Sequence, residues 1–128
     1  MEAVTIVTVL ALMQFYWFGI EVGKMRAMHN CKAPAITGHP DFERMFRVQQ
    51  NTMEQLVMFL PVLWLFATTV NPLWAAGMGV VYLVGRIIYR AAYVKDPAKR
   101  SLGFSVSVLP TSVMLVWVLI ASIMDYLS

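Results

Sequence analysis

Charge is scarce in this sequence. Only 13% of its 128 residues are Asp, Glu, Lys or Arg, against about a quarter in an ordinary soluble domain. Residues 3–20 carry no charge at all, and neither do Gln55–Gly85 or Ser101–Met124. Apolar residues fill the space, at 59% of the chain and a mean hydropathy of +0.66. A water-facing domain of this size cannot bury so much apolar surface, so a soluble globule is excluded. Cysteine is nearly absent: Cys31 stands alone, and no intrachain disulfide can form. There is also no phosphate-binding glycine loop, no nucleophile elbow, no zinc motif, no internal repeat and no low-complexity tract.

The uncharged runs are long enough to be membrane helices. A hydrocarbon core about 30 Å thick takes roughly 20 residues of helix, and spans are expected over about 3–23, 52–70, 73–93 and 103–125. The second and third are expected to continue as helix beyond the lipid at their charged ends. Inside lipid, backbone groups must satisfy one another, which leaves helices or closed barrels. These runs are continuous rather than alternating, unlike barrel strands. The expectation is an all-α integral membrane protein, a four-helix bundle forming one domain over 1–128. The first run is read as a retained helix, because no basic segment precedes it and no small-residue cleavage pattern follows. Pro61 and Pro110 fall inside spans two and four as candidate kinks. Gly77, Gly79 and Gly85 invite close helix packing in span three.

The basic residues give an orientation. Lys24, Arg26, Lys32, Arg44 and Arg47 lie in or beside the first loop, and Arg86, Arg90, Lys95, Lys99 and Arg100 in or beside the third. By the positive-inside rule both loops face the cytoplasm and both termini the opposite side. An even number of spans requires the same. The positive balance is thus one-sided, and lipid headgroups explain it without nucleic acid. Cys31 falls in the cytoplasmic loop and reads as a bystander thiol. His29 and His39 form a loop pair without metal-ligand spacing, and no metal role is assigned.

Two polar clusters stand at the cytoplasmic end, where such groups are costly and tend to be functional. In FERMFRVQQNTMEQL, Arg47, Asn51 and Glu54 share one helix face at i, i+4 and i+7. Glu43 and Gln50 extend that face. Glu54 is the deepest and requires a partner, either Arg47 or a cationic group on a ligand. In GRIIYRAAYVKDPAKR, Arg86, Tyr89, Arg90 and Tyr93 recur at i, i+3, i+4 and i+7, giving a tyrosine–arginine stripe that runs to a helix end at Asp96-Pro97. The bland alternatives are a packing ion pair for the first cluster and an aromatic belt with snorkelling arginines for the second. Together the two faces would suit a small polyanion that also carries a cationic group, between cytosol and lipid.

The run Phe42-Glu43-Arg44-x-x-Arg47-x-Gln49-x-Asn51-x-x-Glu54 resembles the signature of the membrane-associated proteins in eicosanoid and glutathione metabolism. Gly85-Arg86-x-x-Tyr89-x-x-x-Tyr93 through Pro97-x-Lys99-Arg100 resembles the third-helix signature of the same family. The wording is nearest to the type-3 microsomal glutathione transferases, with the type-2 enzyme and leukotriene C4 synthase on the same scaffold. The likeness covers essentially the whole chain. It implies a homotrimer with glutathione between adjacent subunits at the cytosolic side. By position, Arg47, Asn51, Glu54, Tyr89 and Tyr93 would contact glutathione from one subunit, and Arg26 and Gln49 from its neighbour. Glu54 would meet the ligand's amino group and the arginines its carboxylates. Gln55 stands where leukotriene C4 synthase has a tyrosine, and Ala27 follows Arg26 in place of a second basic residue.

The resemblance also implies the chemistry. A free thiol with a pKa of about 8.5 is mostly protonated at neutral pH, and a nearby guanidinium favours the anion. Arg100 matches the arginine that would hold glutathione as thiolate, for attack on a lipophilic electrophile or a lipid hydroperoxide. Glutathione is then a co-substrate, and no metal or prosthetic group is called for. Two other readings remain: a non-catalytic lipid-presenting member of the same family, and a small multidrug transporter. The second fits less well, since Glu21 lies near the end of its span rather than in the middle. The lack of a C-terminal retrieval signal leads us to expect a bacterial inner membrane rather than the endoplasmic reticulum.

Overall fold

A computed structural model describes all residues, Met1–Ser128. It contains four long helices: α1 (Glu2–His29), α2 (Pro40–Thr69), α3 (Pro72–Lys95) and α4 (Ser101–Leu127), with a 3-10 turn over Pro97–Lys99. All four are long and apolar enough to cross a membrane. This is an integral, multi-pass, all-helical membrane protein.

The helix ends follow from local chemistry. Pro40 and Pro72 open α2 and α3, positions where a missing N–H costs nothing. His39 Nδ1 accepts from the Asp41 N–H at 3.1 Å, and Asn71 Oδ1 accepts from the Leu73 and Trp74 N–H groups at 2.9 and 3.0 Å. Asn30 ends α1 in a left-handed conformation at φ 56°. Asp96-Pro97 ends α3 as expected, and Asp96 Oδ1 then caps the 3-10 turn through the Ala98 N–H at 3.1 Å.

The expected spans are all helical, and α1 continues to His29 instead of stopping near residue 23. At 1.5 Å per residue, the 28 residues of α1 and the 30 of α2 reach about 42 and 45 Å, beyond a hydrocarbon layer of about 30 Å. The surplus lies at the basic end, where Asn30–His39 and Asp96–Arg100 connect the helices. Arg44 ties that end together by donating to the Val94 and Lys95 carbonyls at 3.3 and 3.2 Å. A cation there also complements the exposed carbonyls of the α3 terminus.

Two apolar clusters form the core. The larger runs through the middle of the bundle and includes Val7, Phe59, Phe66, Tyr82 and Met114, with Phe59 stacked on Tyr82 at 3.8 Å between centroids. The smaller lies at the basic end around Phe18, Phe42, Met45, Val48 and Tyr89. Only 22–39% of each helix's most apolar window is buried within the chain, so most of that surface is left for lipid or a neighbouring chain. Pro61 and Pro110 both sit inside continuous helices.

The contact between α3 and α4 positions the site. A Cβ on Gly85 would meet the Ser107 backbone N at 2.5 Å, and one on Gly103 would collide with the Tyr89 backbone. The two helices thus touch backbone to backbone at both points, which only glycine permits. A Cβ on Gly79 would meet the Val7 side chain, whereas one on Gly77 meets nothing within this chain. The close-packing expectation therefore holds for two of the three glycines named from sequence, and Gly103 joins them.

Candidate functional site

A cavity of about 630 Å³ opens at the basic end among α2, α3 and the start of α4. Arg47 and Asn51 line it from α2, Tyr89 and Tyr93 from α3, and Arg100, Ser101, Phe104 and Ser105 from the start of α4. Its size is that of a small-molecule pocket. Two guanidinium groups, two phenols, an amide and two hydroxyls converge on it. Such donors suit an anionic, polar ligand.

The tyrosines are held in place. Tyr89 is buried, its ring 5.4 Å from Tyr93 and 6.3 Å from Phe104, with the Arg86 guanidinium carbon 4.3 Å from its centroid. Arg100 precedes α4 and donates to the Pro97 carbonyl at 2.9 Å. It remains exposed, with its other donors free to reach into the cavity.

Behind the cavity lies a fully buried arginine. Arg86 donates to Asn51 Oδ1 at 2.7 Å, to the Thr52 hydroxyl at 3.4 Å and to the Ser107 hydroxyl at 2.8 Å. No carboxylate accompanies it; neutral dipoles from α2 and α4 and the Tyr89 ring surround the charge. This corrects the expected stripe. Arg86 points into the bundle, and Arg90 turns toward α1, where it lies 3.5 Å from Glu21 Oε2 and 4.7 Å from the centroid of Trp17. Only Tyr89 and Tyr93 of that face reach the cavity.

Arg47 and Glu54 pair at 3.4 Å, each about half exposed, so the partner required for Glu54 is Arg47. Glu54 stands beside the cavity rather than in its lining. Glu43 leaves the expected face altogether and accepts from the Gly38 N–H at 2.9 Å.

The family model for the MAPEG family, the family of eicosanoid and glutathione metabolism, matches residues 4–120. This chain belongs to the MAPEG family. It is 39% identical over 101 residues to microsomal glutathione S-transferase 2 of Homo sapiens, covering 79% of this chain and 69% of that protein. It is 33% identical over 115 residues to leukotriene C4 synthase of Cavia porcellus, covering 90% and 73%. An uncharacterized protein of Synechocystis sp. shares 44% over 116 residues, covering 91% of this chain and 85% of the relative.

Within this MAPEG chain, four of the residues singled out on α2 and α3 (Arg47, Asn51, Tyr89 and Tyr93) line one cavity with Arg100. Arg26 and Gln49 lie elsewhere. Arg26 donates to the Cys31 and Ala35 carbonyls at 3.1 and 2.7 Å and stacks over Phe42, 4.6 Å from its centroid. Gln49 faces α1, where a Cβ on Gly19 would come 3.2 Å from its Nε2. The sequence reading missed Ser101, Phe104 and Ser105. Their i, i+3, i+4 spacing immediately after Arg100 was the available signal. It also missed the inward role of Arg86, although an arginine that ends an uncharged run must find partners inside. Finally, His29 and His39 are not apart: their rings stack 3.6 Å between centroids beside Asp41.

Proposed function

We propose that this protein is a membrane-bound glutathione transferase. It holds glutathione in the Arg47–Arg100 cavity as the thiolate and presents it to lipophilic electrophiles, with lipid hydroperoxides as further substrates. The observation that carries the reading is the convergence of Arg47, Asn51, Tyr89, Tyr93 and Arg100 on one cavity at the end of the spans. The names of the two relatives above support the same chemistry.

Arg47 and the tyrosines bind and orient the tripeptide, and Glu54 balances Arg47 while taking the ligand's amino group. Arg100 stabilises the sulfur anion, which becomes the nucleophile. The second substrate arrives from the lipid side. Phe104 and Ser105 belong both to the polar cavity and to an apolar depression lined by Val108, Leu109 and Ser112. Ser112 leads on to a further one lined by Val113, Val116, Trp117 and Ile120. A track along α4 thus joins the thiolate position to the hydrocarbon layer.

The exposed apolar faces and the remoteness of Arg26 and Gln49 support a homotrimer, in which a neighbour's Arg26 and Gln49 complete each cavity. Both basic connections face the cytoplasm and both termini the other side, in a bacterial inner membrane. An impermeant maleimide should label Lys99→Cys only in inverted vesicles and Ser128→Cys only from outside, both in a Cys31→Ser background; the reverse pattern would overturn this orientation. The function is tested by equilibrium binding of glutathione to detergent-purified protein and by conjugation of a lipophilic aryl halide. Saturable binding with turnover is expected. Absence of binding removes the transferase reading, and binding without turnover replaces it with a lipid-presenting scaffold.

A further inference from the structure

The chain has two histidines, ten positions apart, and the fold brings them face to face. The left-handed Asn30 reverses the chain after α1, and extended backbone at His39 (φ −142°) delivers the second ring to the start of α2. One donor atom from each of His29, His39 and Asp41 lies within 4.8 Å of the others. His29 Nε2 is buried and has no hydrogen-bond partner. Asp41 Oδ2 stands 3.8 Å from it, too far for a hydrogen bond. A buried imidazole nitrogen and a carboxylate oxygen therefore face each other without a hydrogen bond between them.

We propose that His29, His39 and Asp41 bind one divalent transition-metal ion of the zinc class. Two imidazoles and a carboxylate suit such an ion, with water completing a tetrahedral set. Metal–ligand distances of about 2.0–2.2 Å place tetrahedral donors about 3.3–3.6 Å apart. The widest of these separations, at most 4.8 Å, thus has to close by no more than about 1.5 Å. The rings lie 11° from parallel, and two stacked imidazoles cannot both direct an in-plane lone pair at one ion. Binding therefore turns His39 edge-on and releases its Nδ1 bond to the Asp41 N–H. The surrounding backbone is already fixed. Arg26 holds the Cys31 and Ala35 carbonyls, and Glu43 holds the Gly38 N–H, so movement is confined to side chains. The ion would tie the end of α1 to the start of α2 across the connection that Arg26 organises. This site shares no residue with the Arg47–Arg100 cavity and depends on no step proposed there.

The test uses untagged, full-length protein in detergent, stripped with chelator and titrated with Co2+ while the visible d–d absorption is followed. One Co2+ per chain is expected, displaced by Zn2+. Affinity should fall at least tenfold in His29→Ala and in His39→Asn, and stay unchanged in Cys31→Ser. Asparagine retains a helix-capping oxygen, so loss of binding in His39→Asn is separable from loss of fold. Zn2+ should also raise the Tm of the wild type and not of His39→Asn. No saturable Co2+ binding by the wild type, or equal affinity in His29→Ala, would overturn the site.

Discussion

The Arg86 guanidinium donates to Asn51 Oδ1 at 2.7 Å, in a place where Arg86 has no exposed surface. Asn51 is at once a wall of the cavity and the main neutral partner of a buried charge, so ligand geometry and bundle stability meet in one side chain. Thr52 and Ser107 also bond the Val48 and Gly103 carbonyls, whereas Asn51 Oδ1 has only Arg86. Removing Asn51 leaves that nitrogen of the buried charge with only the longer Thr52 contact; removing Arg86 strands a neutral acceptor, a loss of about 1–3 kcal/mol. Thermal unfolding in detergent should rank Asn51→Leu as more destabilising than Arg86→Leu. The double variant should lose less than the two single losses added together. Additive losses would show that the pair is not coupled.

The glycine contacts make a second prediction. A methyl group at Gly103 meets the Tyr89 backbone, which cannot yield as a flexible side chain can. Gly103→Ala should cost about 1–3 kcal/mol and weaken glutathione binding by displacing Tyr89 and Phe104. Gly77→Ala, which meets nothing, should leave both unchanged or raise helix stability slightly. Equal behaviour of the two alanine variants in unfolding and binding assays would contradict the close approach.

In the proposed glutathione complex, Arg47 and Glu54 would have separable tasks. Loss of a charge-assisted bond of about 1.5–3 kcal/mol means that Arg47→Ala should weaken glutathione binding roughly 10–150-fold. If Glu54 takes the ligand's amino group, Glu54→Gln should weaken binding of glutathione but scarcely that of its desamino analogue, which lacks that group. Equal weakening for both ligands would mean that Glu54 acts only by holding Arg47.

What was legible in the sequence was set by the strength of the local signals. The uncharged runs fix the four helices, because lipid leaves the backbone no other solution. Helix periodicity placed Arg47, Asn51, Tyr89 and Tyr93 on faces that do meet. It failed at Arg90 and Arg86, four residues apart on one helix. Long side chains swing toward whichever neighbour offers dipoles, and for Arg90 that neighbour was Glu21 of α1. The approach of Gly103 to Tyr89 was equally hidden, since it depends on how two helices cross and not on either alone. The stacking of His29 on His39 depends on one left-handed residue, Asn30, which periodicity does not register.

Arg26 and Gln49 give the proposed trimer its own test. If a neighbour's Arg26 completes the cavity, mixed assemblies of Arg26→Ala and Arg100→Ala chains contain some interfaces with both arginines intact. Co-expressed variants should then regain a fraction of wild-type conjugation that neither has alone. No recovery in assemblies proven to be mixed would place each site within one chain.

The central claim is that Arg100 holds glutathione as the thiolate, and near-ultraviolet thiolate absorbance during a glutathione titration at neutral pH tests it most directly. The wild type should give a saturable thiolate signal, with Arg100→Ala still binding glutathione but leaving the signal largely absent. A thiolate signal of equal size in Arg100→Ala, or none in a wild type that demonstrably binds glutathione, would contradict the account.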